Sequence, residues 1–165
     1  DIVIGRVLDP ENAAGLAFEP LAEEPHSLIA RAGHPLSRRR KLGVEDLVGC
    51  TWVLPPSESI LRERINAMFL QRGLQLPARI VETSSVPMIT NLLRRSDMLV
   101  ALPEDVVRPY CDAGMLRVLP IELNVRMDAF GLITRRGHTL SGDAQEALQA
   151  LREAARTVYQ RQAAR

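Results

Sequence analysis

Three times in the middle of this chain a short apolar run is broken by proline or hydroxyl residues and then gives way to a helical spacing of apolar side chains. Trp52-Val53-Leu54 is stopped by Pro55-Pro56. Ser57-Glu58-Ser59 then offer N-cap hydroxyls, and Ile60, Leu61, Ile65, Met68 and Phe69 follow at helical spacing up to Gly73, a C-cap. Arg79-Ile80-Val81-Glu82 leads through Thr83-Ser84-Ser85 into a helix over Val86–Arg95, with Met88, Ile89, Leu92 and Leu93 expected inward and Pro87 in the first turn. Met98–Leu102 is wholly apolar, as in a strand covered on both faces, and Pro103-Glu104-Asp105 opens a helix through Tyr110 that Gly114 ends. Strands alternating with helices predict an α/β fold with a largely parallel sheet.

The flanks are less regular. Ile2–Leu8 reads as a strand broken by Asp9-Pro10-Glu11-Asn12, and Leu16–Glu23 and His26–Ala30 as extended runs. Gly33–Ser37 is a turn and Val44–Leu47 a helical turn. Met115–Leu119 and Ala129–Thr134 are strands, and Ser141 caps a last helix from Ala144 to about Gln160 with core face Ala144, Leu148, Leu151, Ala155 and Val158. Leu16–Ala32, with little helix of its own, reads as a connection between two lobes. The chain opens directly on a buried-strand pattern without an initiator Met, and we expect upstream sequence to have been removed.

The 165 residues, 46% hydrophobic and 25% charged, are the proportions of a globular domain rather than a disordered chain. A net charge of +1 points to no nucleic-acid-binding face, so any DNA-binding part is expected elsewhere. Arg38–Lys41, the single basic run, has no interleaved aromatics and reads as a solvated loop. Cys50 and Cys111 lie in no metal-ligand spacing and are expected as reduced thiols. No run approaches the roughly 20 apolar residues that span a bilayer, which makes a cytoplasmic home, without membrane contact, the simplest expectation. His26, His34 and His138 are isolated from one another, and no phosphate loop, nucleophile elbow or HExxH is present. No catalytic residue, metal or cofactor is expected.

Four stretches, in their order and spacing, resemble the effector-binding domain of LysR-type transcriptional regulators. They are Asp1-Ile2-Val3-Ile4-Gly5; Pro20–Glu24 with Gly33-His34-Pro35-Leu36 and Leu42–Leu47; Trp52–Pro56 with Leu61-Arg62; and Ser96–Pro103 with Gly114–Pro120. Trp52–Pro56 and Glu82–Ser85 resemble the branch named for a galactose-binding-protein regulator. The resemblance implies a two-lobed periplasmic-binding-protein type 2 fold with a small effector between the lobes. Lobe I would comprise residues 1–30 and 125–165, and lobe II residues 31–124. The hinge would lie at Ala30, Arg31, Asn124 and Val125. It also implies a homodimer or homotetramer, with the faces of Ile60–Arg72 and Val86–Arg95 as candidate contacts, and a winged helix-turn-helix that this chain lacks. Lobe I is then incomplete, N-terminally truncated, and leaves a sheet edge open to association.

Candidate effector contacts follow from the strand–helix junctions, where unpaired N–H groups and the positive helix end favour an anion or polar oxygen. They are Ser57 and Ser59, Thr83, Ser84 and Ser85, and Pro103; each also has a plain reading as a cap or helix start. Gly5 and Arg6 end the first strand, and Arg6 is either a fork for a ligand carboxylate or a surface salt-bridge partner. The effector is expected to be a sugar, an aromatic acid or a small carboxylate. An extracytoplasmic solute-binding protein of a transporter is the alternative reading.

Overall fold

The computed structural model describes residues 2–7, 13–125 and 127–163, with side chains to Tyr159 in the last helix. In chain order the elements are β1 (Ile2–Gly5), β2 (Leu16–Ala22), β3 (His26–Arg31), β4 (Thr51–Leu54), α1 (Ile60–Leu70), β5 (Arg79–Glu82), α2 (Val86–Arg94), β6 (Met98–Pro103), α3 (Glu104–Asp112), β7 (Leu116–Val118), β8 (Phe130–Arg135) and α4 (Gly142–Ala163). Short 3-10 turns span Pro35–Arg38 and Val44–Leu47. The expected break at Asp9–Asn12 lies outside the described residues.

The chain divides into two compact units, Pro25–Arg126 and a smaller one made of Asp1–Glu24 with Met127–Arg165. The chain passes from one unit to the other after Glu24 and before Met127, near the crossings expected at Ala30–Arg31 and Asn124–Val125. Ala30 and Arg31 lie inside β3, paired with Arg117 and Leu116 of β7, because that strand continues six residues past the crossing.

The larger unit is built on a five-stranded sheet of order β5-β4-β6-β3-β7. β4 runs parallel to β5 and β6, whereas β3 is antiparallel to β6 and β7. With the antiparallel smaller sheet, four of six pairings are antiparallel, so the expectation of a largely parallel sheet fails. An all-apolar strand such as Met98–Leu102 signals burial on both faces, and burial says nothing about strand direction. Successive strand residues divide between two cores. Leu28, Trp52, Leu54, Leu99 and Ala101 pack with Ile65, Met68 and Phe69 of α1; Ile29, Val53 and Val100 pack with Ile89 and Leu93 of α2 and Val107 of α3. Trp52 meets Phe69 edge-to-face at 5.9 Å.

Helix ends form where the glycines predict. Gly73 (φ 66°) and Gly114 (φ 67°) adopt the left-handed conformation, and paired backbone bonds (Leu74 N–H to Phe69 O, Gly73 N–H to Leu70 O; Met115 N–H to Tyr110 O, Gly114 N–H to Cys111 O) close α1 and α3 as Schellman motifs. The expected inward face of α2 needs correction. Met88 is 54% exposed, and Thr90, whose hydroxyl bonds Pro87 O, is buried beside Ile89 and Leu93.

The smaller unit has the order β1-β8-β2, antiparallel throughout, with Leu132 buried. α4 is capped by Ser141, whose hydroxyl accepts from Ala144 N–H, and is tied to β2 by a two-pronged Arg152–Glu19 pair at 2.6–3.1 Å. Ala144, Leu148, Leu151 and Ala155 are half-buried as expected, but Val158 is exposed. The stripe continues through Tyr159, four residues after Ala155, which packs on Phe130. β1 and β2 are the sheet's two edges, and Val3 and Ile4 each leave more than half their surface exposed.

Candidate functional site

Because β4 is parallel to both β5 and β6, the three strand–helix junctions predicted from the sequence emerge at one edge of the larger sheet. Leu54 is level with Glu82 across the β4–β5 pair, and Thr83 N–H donates to Leu54 O at 3.0 Å. Ser57 and Ser59 thus stand beside Thr83, Ser84 and Ser85, with Pro103 at the end of β6 one strand further. Each junction delivers a helix N-terminus (α1, α2, α3) whose first N–H groups have no partner inside the helix. This is the carboxyl edge of parallel strands, where open α/β sheets bind ligands.

The five hydroxyls do not act as helix caps. Ser59 and Ser85 occupy the N-cap positions, yet neither side chain makes the capping bond; their backbone carbonyls accept the first helical bonds from Glu63 and Ile89. Thr83 Oγ1 accepts from Ser85 N–H at 3.1 Å, and Ser57 Oγ donates to Glu58 Oε1 at 3.2 Å. The hydroxyls of Ser59, Ser84 and Ser85 have no hydrogen-bond partner among the described residues, so they retain both donor and acceptor capacity.

Three residues at this edge escaped sequence reading. Antiparallel pairing sets His26 opposite Pro103, which brings the start of β3 to the end of β6. Ser27 Oγ donates to Glu104 Oε1 at 2.6 Å there. Arg62, in the first turn of α1, donates from Nη1 to Pro55 O at 3.2 Å, while its buried Nε has no partner among the described residues. The sequence held no signal for His26 or Ser27, because strand direction decides whether β3 begins or ends here.

The remaining candidates lie elsewhere. Gly5 ends β1 in the smaller unit, opposite Gly131. Arg6 is already engaged: Nη2 pairs with Glu24 at 2.9 Å, Nε donates to Asp128 O at 2.7 Å, and the guanidinium lies 5.7 Å from the Phe130 ring centre. That geometry matches the salt-bridge reading of Arg6 rather than the ligand-fork reading. Among the hinge candidates, Arg31 pairs with Asp97 at 2.7 Å and Val125 is buried in the larger unit's core. In the basic run, Arg39 pairs with Asp46.

Both cysteines are unpaired and half-buried, and burial pushes both thiols above their ordinary range. Among the described residues no helix is long and apolar enough to cross a membrane, and no group of three His, Cys, Asp or Glu side chains is disposed to hold a metal.

The LysR substrate binding domain family matches residues 1–156. The transcriptional regulator GbpR of Azospirillum brasilense is 29% identical over 162 residues, 98% of this chain and 47% of that protein. GalR of Pseudomonas putida is 35% identical over 91% of the chain and 37% of its own length; PcaQ of Agrobacterium fabrum is 31% identical over 96% and 51%. The chain thus spans about half the length, or less, of these relatives. Among solved structures, the regulatory domain of Synechocystis CcmR in complex with 2-PG superposes with a TM-score of 0.74 at 19% identity, over 95% of this chain and 73% of that one. The effector binding domain of QuiR in complex with shikimate gives 0.68 at 20%, over 91% and 68%.

Proposed function

Since this chain belongs to the LysR substrate binding domain family, we propose that it senses a small polar metabolite at the hydroxyl-bearing edge of its larger sheet and so governs a longer regulator. DNA would be contacted by a helix-turn-helix outside these 165 residues. One observation carries the reading: three parallel-sheet junctions converge on one edge, and the Ser59, Ser84 and Ser85 hydroxyls there are engaged by nothing described. Regulators among the relatives favour this role over that of a transporter's solute-binding protein. The role is non-catalytic. A sugar, an aromatic acid or a small carboxylate fits hydroxyls beside helix N-termini. To transmit a signal the metabolite must bind one arrangement of the protein more tightly than another. The open edges of the smaller sheet support self-association as a dimer or tetramer.

A thermal-shift screen of sugars, aromatic acids and small carboxylates tests the proposal, since a ligand of the folded state raises the melting temperature by mass action. The S59A/S85A double variant should bind a hit more weakly by about tenfold or more, from two lost hydrogen bonds of ~0.5–1.5 kcal/mol each. Absence of any hit, or unchanged affinity in the variant, refutes the reading.

A further inference from the structure

At the end of the smaller sheet one side chain takes hold of both strands that leave it. The β2–β8 ladder ends where Ala22 pairs with Phe130. The chain departs from the smaller unit after Glu24 and re-enters it at Met127. Glu24 and Asp128 thus stand two residues beyond the last ladder pair, one on each crossing. Arg6 reaches both. Its Nη2 pairs with Glu24 Oε2 at 2.9 Å, and its Nε donates to Asp128 O at 2.7 Å.

The surroundings make this firmer than an exposed ion pair. The Arg6 and Glu24 side chains are only 23% and 28% exposed, so salt and water screen the pair less than one on the open surface. Nε and Nη2 lie on one planar group, and their two bonds therefore fix Glu24 and Asp128 in direction as well as distance. The guanidinium is itself seated, 5.7 Å from the Phe130 ring centre, and Phe130 packs edge-to-face on Tyr159 of α4 at 5.5 Å. Strand register puts Arg6 in this place: β1 ends at Gly5, opposite Gly131, which brings the next residue level with Phe130.

We propose that Arg6 is a clamp on the two chain crossings. It adds a side-chain rung beyond the last backbone rung of the smaller sheet and keeps bending out of residues 22–24 and 128–130. The ends of elements are where local opening is easiest, and this end is the one through which the chain passes in both directions. Arg6 acts as a positioning residue: its two bonds, and not its charge alone, decide how far along each crossing the order of the sheet extends.

Backbone ¹⁵N relaxation of the chain reads this residue by residue. In the parent, order parameters at Glu23, Glu24, Asp128 and Ala129 should approach the value at Leu132, about 0.85 for rigid backbone, where a loosened segment falls below about 0.6. Arg6→Met keeps an aliphatic stem over Phe130 and removes both donors. It should drop both crossings below about 0.6 while Leu132, buried in β8, keeps its parental value and shows that the unit is folded. Arg6→Lys retains a charge for Glu24 but not the planar fork. It should keep residues 23–24 ordered and leave 128–129 loose, and it decides the matter if Arg6→Met does not fold. A parent already loose at both crossings, a folded Arg6→Met as ordered there as the parent, or an Arg6→Lys that matches the parent at 128–129 would each overturn the proposal.

Discussion

His34 offers a sharp test of how the larger unit is held together. Its side chain is 3% exposed and caps the 3-10 turn that follows: Leu36 N–H donates to Nδ1 at 3.1 Å, which leaves the proton of the neutral ring on Nε2, 3.3 Å from Asp97 O. One imidazole therefore fastens the His-Pro-Leu turn to the start of β6, 63 residues away. In His34→Ala the buried Leu36 N–H loses its acceptor, at ~1–3 kcal/mol. The vacated ring volume and the lost bond to Asp97 add ~1 kcal/mol or more. A total of ~2–4 kcal/mol, divided by a urea m-value of ~2 kcal/mol/M, predicts a midpoint lower by about 1–2 M. Trp52, the single tryptophan and fully buried in the same unit, supplies the readout by fluorescence, so unfolding of the smaller unit does not blur it. His34→Asn keeps a short acceptor for Leu36 N–H but cannot span to Asp97, and should recover about 1 kcal/mol of the loss. An alanine variant within 0.5 kcal/mol of the parent, on the order of a surface substitution, refutes the reasoning. Asparagine as damaging as alanine would show that the cap is not the cause.

Further expectations concern both units. A Cβ on Gly131 would collide with the Glu19 backbone and the Phe18 ring, so Gly131→Ala should accelerate amide exchange along β2 and β8, whereas Gly142→Ala, with open space around it, should not. The Arg152 hydrogen bond holds the Glu19 carboxyl below its ordinary value of 4.5. Its stabilisation is therefore present above that value and lost as pH falls through the lowered folded one, so acid should lower the melting temperature of the parent more than that of Glu19→Gln. Burial raises both thiols, so Cys50 and Cys111 should react slowly with a disulfide reagent at neutral pH and quickly in urea; equal rates would contradict the half-buried positions.

Much of this architecture was readable before any coordinates. The boundaries of β5 and of the 3-10 turn at Val44–Leu47 fall where periodicity and turn residues set them, and Gly73 and Gly114 close their helices as C-caps. The junction hydroxyls were also legible as a group, since they follow strand ends. What each hydroxyl does was not. Capping was the natural reading for Ser59 and Ser85, yet a side chain's rotamer and neighbours decide whether it bonds to the helix. Arg6 was ambiguous for the same reason: its partners, Glu24 and Asp128, are 18 and 122 residues away.

Local sequence determined where this chain extends, coils and turns, because hydropathy period, proline and glycine act over a few bonds. Tertiary structure alone decided that β3 runs against β6 and that His26 and Ser27 therefore meet Pro103 and Glu104. Strand direction and the meeting of distant segments depend on chain path. Short-range pattern encodes that path only weakly, since an apolar strand buries the same surface whichever way it runs.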